Sequence, residues 1–296
     1  LVGVLLVVGA VPLMAHALGA REVGATQWHG ADHVHLFAEA WKRAFADRNH
    51  WLGDPDAVEV PLTGLLSRDY ALSRARDIDS LRATPAADVE PGPMPASPPV
   101  EGDHTTHASV VDGEGMAVSF TTTLNTWYGS KLVVPGTGVL LNNEMDDFTG
   151  RAGVPNFFGL VQGEANAIAP GKRPLSAMTP TLVTGPEGDL RLVVGSPGGA
   201  TIITTVFQVL SNVLDHGMDL ADAVCAPRIH HQHRPDRIDI EPGGLASGVK
   251  AALEERGHTL HERPEAWGDV EAVAVKADGM LEAVADPRRG GVAQVL

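Results

Sequence analysis

The chain has 296 residues, 44 % of them hydrophobic, enough for one large or two ordinary globular domains. Its 22 basic and 37 acidic residues leave a net charge of −15, which argues against nucleic acid and anionic membrane surfaces as partners. The single cysteine, Cys225, excludes an internal disulfide and a Cys-based zinc cluster, and its apolar setting (Ala-Asp-Ala-Val-Cys-Ala-Pro) reads it as a small buried core residue.

Residues Leu1 to Leu18 are mostly apolar. Pro12 interrupts the run, and no basic segment precedes it. The stretch therefore reads as a buried helix of a larger domain rather than a signal peptide or membrane span, although Ala15-His16-Ala17 resembles a signal-cleavage tripeptide. Asp32 to Arg48 predict an amphipathic helix. Leu36, Phe37, Ala40, Trp41, Ala44 and Phe45 share one face, and Glu39, Lys42, Arg43 and Asp47 lie off it. Gly53-Asp54-Pro55 supplies turn chemistry, and a second, more polar helix is expected over Ser67 to Arg82. Ala83 to Asp103 has no periodicity and carries Pro85, Pro91, Pro93, Pro95, Pro98 and Pro99, the composition of an extended, exposed linker.

Beyond Thr105 the pattern becomes that of a β-hairpin: a strand over Thr106 to Val111, the turn Gly113-Glu114-Gly115, and a strand over Met116 to Asn125. A three-residue loop puts Asp112 opposite Met116, Val111 opposite Ala117 and Thr105 opposite Thr123, within reach of a hydroxyl–hydroxyl contact. A slip of one residue would send the two threonines to opposite faces. A threonine that opens a strand after a linker can become a new N-terminus, its hydroxyl a nucleophile activated by its own α-amine. His104–Thr105 is therefore a candidate cleavage site. Thr121, Thr123 and Asn125 alternate on one side of the second strand and Val118, Phe120 and Leu124 on the other, which on its own reads as a half-exposed strand with a polar outer face.

Leu140 to Phe148 read as a strand end running into an acidic loop. Leu190 to Val194 form a buried strand, and Ala200 to Leu214 a helix apolar all round. Between them Gly195-Ser196-Pro197-Gly198-Gly199 would present backbone N–H groups to a carboxylate, phosphate or oxyanion. The turn matches neither a Walker loop nor a dinucleotide fingerprint, so no nucleotide is expected. A helix follows over Met218 to Cys225. His230, His231 and His233 are too closely spaced for the usual helical ligand pair, so no metal site and no cofactor are expected. A strand over Arg237 to Ile240, a helix over Val249 to Arg256 and a hairpin of Ala272–Val275 with Leu281–Ala285 complete the chain.

Several motifs resemble, in order, those of the γ-glutamyltransferase family: Phe45–Pro55, Thr-Thr-His-x-Ser-Val-Val-Asp at Thr105, Thr-x-Asn at Thr123, Leu-Leu-Asn-Asn-Glu-Met-Asp-Asp-Phe at Leu140, Gly-x-x-Asn at Gly163, Lys172–Pro180, Gly-Ser-Pro-Gly-Gly at Gly195 and Ala-Pro-Arg-x-His-His at Ala226. The resemblance runs from about His33 to Asp286. It implies an α+β fold, the four-layer αββα sandwich of N-terminal-nucleophile hydrolases, incomplete at its N-terminus. Residues 1–104 would be the C-terminal part of a large subunit, and residues 105–296 a small catalytic subunit.

The implied activity is self-cleavage followed by transfer of a γ-glutamyl group from glutathione or a related amide to water or an amino acid. By the same resemblance Thr105 is the nucleophile, Thr123 orients it, and the N–H groups of Gly198 and Gly199 form the oxyanion hole. Asn125, Glu144, Asp147 and Ser176 hold the ammonium and carboxylate ends of the donor. The partners are then a small γ-glutamyl donor, an acceptor and the second subunit of the same precursor, in a periplasmic or extracellular setting. Two departures stand out. Ala177 replaces the family's second serine, and the family's carboxylate-pairing arginine lies in a part with no counterpart from Leu1 onward. The first favours a related glutaryl or β-lactam side-chain acylase as an alternative, the second a non-catalytic remnant.

Overall fold

The computed structural model describes residues 2–4, 10–19, 22–93 and 106–295. Strand β1 (Val2–Val4) is followed by helix α1 (Ala10–Gly19), whose Met14, Ala17 and Leu18 enter the core as the apolar N-terminal stretch predicts. Helix α2 (Ala31–Trp51) extends the predicted one by a turn. A single turn, α3 (Leu62–Leu65), leads to α4 (Arg68–Ala75), which Ser67 caps by accepting from the N–H of Tyr70 and which ends well short of the predicted Arg82.

Helix α2 departs most from its pattern. Leu36, Phe37, Trp41 and Phe45 are buried as expected, but Glu39, Lys42, Arg43, Asp47 and Arg48 are buried too. The polar side is covered by the chain from 77 to 92. Arg43 bonds Asp77 at 2.9 Å, Thr84 N–H donates to Glu39 at 3.1 Å, and Gly92 N–H donates to Asp47 at 2.7 Å. This corrects the linker expectation for its first half. Residues 83–93 are strapped to α2, with Ala86 and Val89 buried, while residues 94–105, including His104 and Thr105, lie outside the described residues.

Strands β2 (His107–Val111) and β3 (Ala117–Thr121) pair in the predicted register, Val111 with Ala117 and His107 with Thr121. Asp112 N–H donates to Met116 O at 3.0 Å, and its carboxylate accepts from Glu114 and Met116 N–H, pinning the loop. The faces, however, are the reverse of the expected ones. The polar side packs inward, and Val110, Val118 and Phe120 stand half exposed. The reason is the partner beneath. Strands β4 (Thr181–Thr184) and β5 (Leu190–Gly195) belong to a sheet ordered β1-β4-β5-β9-β10, with β9 (Glu271–Val275) and β10 (Leu281–Ala285). The hairpin lies on that sheet through hydroxyl-to-backbone bonds: Ser109 donates to Glu271 O at 2.9 Å and Ser119 to Val194 O at 3.2 Å, while Ser119 accepts from Thr181 N–H at 3.0 Å.

The sheet's other side carries helix α5 (Thr201–Leu214), buried over Thr201 to Asn212, with Phe207 against Phe37 and Trp41 of α2. Helix α6 (Leu220–Cys225) turns Ala223 and Val224 inward, which leaves Cys225 exposed, against expectation. A small sheet of β6 (Ile229–His230), β7 (Ile238–Ile240) and β8 (Leu260–Glu262), with α7 (Ser247–Glu255), closes the far side. Helices, main sheet and hairpin thus form the α+β arrangement expected. Among the described residues no helix is long and apolar enough to cross a membrane.

Candidate active site

A cavity of about 1000 Å³ opens where the start of the hairpin, the 195–199 turn, the loops after β3 and before β4, and the segment before β9 converge. Of the residues predicted to work together, Thr123, Asn125, Asp147, Ser176, Gly198 and Gly199 line it, and Thr106 lies at its edge.

The turn is shaped by its glycines. Gly195 ends β5 beneath the His107 imidazole, where an added Cβ would sit 2.2 Å from the ring. Gly199 adopts φ +59 and passes so close to Phe158 that a Cβ would lie 2.6 Å away. Both the conformation and the space call for glycine. The carbonyls of Gly198 and Gly199 accept from Thr201 and Ile202 N–H and so start α5, while their own N–H groups donate to no protein acceptor among the described residues. Two N–H groups at the positive end of a helix are suited to a developing oxyanion.

The loop after β3 is laced to the acidic loop. Asn125, at φ +74, donates its N–H to Thr123 Oγ1 at 2.8 Å and its amide to Asn143 O at 3.0 Å. Because Thr123 Oγ1 accepts there, its own proton is left to donate into the cavity. Asp147 sits at the end of a single 3₁₀ turn, Glu144–Asp147, with its carbonyl held by Asn166 at 2.8 Å. Glu144 lies buried at the start of that turn and is not part of the cavity lining. Ser176 accepts from Met178 N–H through its hydroxyl at 3.2 Å, and its carbonyl accepts from Arg48 at 2.8 Å.

Other lining groups escaped sequence reasoning. His107 is buried between Thr121 and Ser109, at 2.8 and 2.9 Å, and burial lowers its pKa to about 4, so it is neutral. Glu271 is pushed up to about 7, by burial first and then by the charges of Asp269 and Asp286. Arg48 reaches the cavity from α2. No local pattern marks any of these, because each is brought in by packing between distant segments.

The three histidines are bound to protein groups. His230 meets Thr204 at 2.7 Å, His231 meets Asp236 at 3.3 Å, and His233 meets Ala86 O at 2.8 Å. His233 and Asp236, the latter accepting from Ala86 N–H at 2.7 Å and held by His231, fix the start of the proline-rich strap. A different group, His35, Glu39 and His258, has potential metal-ligand atoms within 4.8 Å of one another. There His35 and His258 bond each other at 2.7 Å, and Glu39 is bonded to Lys42 and Arg43, so the ligand atoms are already engaged and two cations oppose a third.

The chain matches the Gamma-glutamyltranspeptidase family over residues 5–296. It is 47 % identical over 260 residues to a glutathione hydrolase proenzyme of Pseudomonas sp. (strain A14), an alignment covering 88 % of this chain but only 44 % of the relative, so the chain spans about half the length of the curated relatives it matches. A solved gamma-glutamyltranspeptidase of Pseudomonas nitroreducens, complexed with L-DON, is 48 % identical with a TM-score of 0.62, over 65 % of this chain and 100 % of that one. A cephalosporin acylase of Bacillus halodurans is 28 % identical with a TM-score of 0.76, over 95 % of this chain and 48 % of its own. With the family matched along nearly the whole length, and with the acylase sharing the fold at lower identity, the chain belongs to the gamma-glutamyltranspeptidase family of N-terminal-nucleophile hydrolases.

Proposed function

We propose that this chain is part of a self-processing enzyme that cleaves γ-glutamyl amides such as glutathione through a γ-glutamyl ester on Thr105. The carrying observation is the convergence of Thr123, Asn125, Asp147, Ser176, Gly198 and Gly199 on one cavity at the point where the described chain resumes with Thr106. The hairpin register supports the role of Thr105. Thr122 N–H bonds Thr106 O at 2.5 Å, which carries the predicted register one residue beyond the His107–Thr121 pair. Residues 105–296 are 192 of the 296, or 65 %, the share of this chain that matches the whole of the Pseudomonas nitroreducens chain. That favours a small subunit beginning at Thr105.

In the self-cleavage, Thr105 Oγ bonds the His104 carbonyl carbon and the peptide C–N bond breaks, its nitrogen taking the hydroxyl proton to become the Thr105 amine; water then hydrolyses the ester so formed, leaving a carboxylate on His104 and restoring the Thr105 hydroxyl. In turnover that amine takes the hydroxyl proton while Oγ bonds the donor's γ-carbonyl carbon. The oxyanion faces the Gly198 and Gly199 N–H groups. Collapse expels the amine of the donor, which leaves with the proton, and water or an amino acid then takes the acyl group. Asp147, with Glu144 behind it, offers charge to the donor ammonium; Ser176 and Asn125 offer donors to its carboxylate. After the cut the two pieces stay joined by the α2–α5 aromatic contacts and by the hold of His233 and Asp236 on Ala86.

The test is mass spectrometry of the incubated protein together with turnover of γ-glutamyl-p-nitroanilide. A new N-terminus at Thr105 and activity are expected, both absent in Thr105→Ala. An uncut chain after prolonged incubation would sink the reading. Ala177 and the likeness to cephalosporin acylase keep a side-chain acylase as a second reading. Faster turnover of glutaryl-p-nitroanilide than of the γ-glutamyl compound would favour it.

A further inference from the structure

Two groups of histidines gather around the first turns of α2, outside the cavity lining, and they sit among opposite charges. His35 and His258 bond each other, and the charges acting on them include the cations Lys42 and Arg256. The second group is His29, His33 and His216. His33 lies in the first turn of α2 and is 1 % exposed, His29 lies just before that helix, and His216 follows Asp215, the residue that ends α5. The carboxylates that act on this group are Glu241, on His29, and Asp215, on His216.

The three rings are close. The His33 centroid is 5.0 Å from that of His216 and 6.0 Å from that of His29. Imidazole nitrogens that share one tetrahedral ion at about 2.0–2.1 Å hold neighbouring ring centroids about 5 Å apart. The surroundings are tied down as well. Trp28 stacks on His29 with centroids 3.8 Å apart and donates its Nε1–H to Asn212 Oδ1 of α5 at 2.8 Å. His216 N–H donates to Ser211 O at 3.1 Å. His29 Nδ1 meets Gly244 O at 3.2 Å, the kind of backbone contact that fixes which nitrogen of an imidazole is left for a metal. Burial, before any other cause, lowers His29 to about 4 and His33 to about 3, and it lowers His216 too. All three are therefore neutral at neutral pH, the form that ligates.

We propose that His29, His33 and His216 form a binding site for a divalent transition-metal ion of the zinc class, which staples the start of α2 to the loop after α5. Imidazole suits such ions, and the flanking carboxylates offset the added positive charge. The ligand nitrogens are not drawn together within 4.8 Å, as the ligand atoms of His35, Glu39 and His258 are. Because His29 and His216 are half-buried, a turn of their rings about side-chain bonds toward the buried His33 closes the set. His29 and His33 precede the cut proposed at His104–Thr105 and His216 follows it, so the ion would join the two pieces, while binding itself does not depend on the cut.

The test is titration calorimetry of the whole chain, freed of metal with chelator and dialysed, with Zn²⁺ at pH 7.5. Binding should saturate at about one ion per chain. Excess Mg²⁺ should not compete, because hard cations take oxygen ligands. His216→Ala should weaken binding by about tenfold or more, since loss of a mere supporting partner already costs about 10–100-fold. His29→Ala carries the same expectation and serves if the first variant does not fold. Zn²⁺ should also raise the urea midpoint of the unchanged chain and leave that of either variant in place. His35→Gln or His258→Gln should leave zinc affinity as it is; its loss there would put the ion at the other histidine group and overturn the proposal. So would zinc affinity within about threefold of the unchanged chain in His216→Ala and His29→Ala, or no binding at all. Uptake that does not saturate, or that Mg²⁺ displaces, would mark adventitious binding to surface carboxylates and overturn it equally.

Discussion

Helix α2 and the hairpin β2–β3 both bury the side that their residue patterns assign to water, but with different chemistry. On α2 the buried polar side is ionic, with Glu39 between Lys42 and Arg43, and Asp47 bonded to Arg74 at 2.9 Å and to Gly92 N–H at 2.7 Å. On the hairpin it is neutral, with Ser109, Ser119, Thr121 and His107 bonded to one another or to the main sheet's backbone. The strap over α2 brings its own charges and backbone polar groups, so ions can be matched there. The sheet under the hairpin offers only N–H and C=O groups, which hydroxyls satisfy without a charge to desolvate. Side-chain polarity alone therefore does not decide which face is buried; the partner surface does.

The ionic side should be the harder to disturb. Glu39→Ala leaves Lys42 and Arg43 buried without their anion and should cost about 3–5 kcal/mol in urea unfolding. A cost below about 1 kcal/mol would show that water reaches the strap interface. The pH dependence follows from the same triad. Burial on its own would raise the Glu39 carboxyl, but Lys42 and Arg43 outweigh it and hold it at about 2. The folded pKa is then below the ordinary 4.5, so this stabilisation is present above about pH 4.5 and is lost as pH falls toward 2.

The junction between hairpin and sheet comes next. Gly195→Ala would push a methyl into the His107 ring and should cost roughly 1–3 kcal/mol. His107 adds a pH signature of its own. Burial depresses it from 6.5 to about 4, so the unfolded chain binds the extra proton between those values. The stability it reports is present above pH 6.5 and drains away as pH falls to 4. Urea midpoints measured at pH 7 and pH 5 check this. A His107→Gln variant should show a shallower fall than the unchanged protein.

What could be read from the residues follows the same division. The hairpin register was legible because a three-residue loop leaves one pairing that aligns the alternating strands. Strand β5 and helix α5 were legible because a continuous apolar run has nowhere to go but the core. The gathering of Thr123, Asn125, Asp147, Ser176, Gly198 and Gly199 followed only from the order of motifs. No periodicity brings loops at 123, 147, 176 and 198 together. Arg48 sat unnoticed in a helix whose charged side was assigned to solvent. Cys225 was misread because an apolar neighbourhood in sequence says nothing of which way a short helix turns. Asp269 and Glu271 precede or begin a strand, and their approach to the cavity depends on the β5–β9 pairing, which only the sheet reveals.

On the hairpin itself the two faces can be set directly against each other. Ser119→Ala removes the acceptor for Thr181 N–H and the donor to Val194 O, and should cost about 1–3 kcal/mol because a buried N–H is left unsatisfied. Phe120→Thr, one residue along, replaces a ring that is 54 % exposed and should stay within about 0.5 kcal/mol in the same urea experiment. A small polar change thus outweighs a large apolar one on neighbouring residues of one strand, the reverse of what hydrophobicity ranks. If Phe120→Thr instead costs more than Ser119→Ala, the outer face is covered in solution by something that buries it, and the contrast with α2 would narrow to one between two covered surfaces.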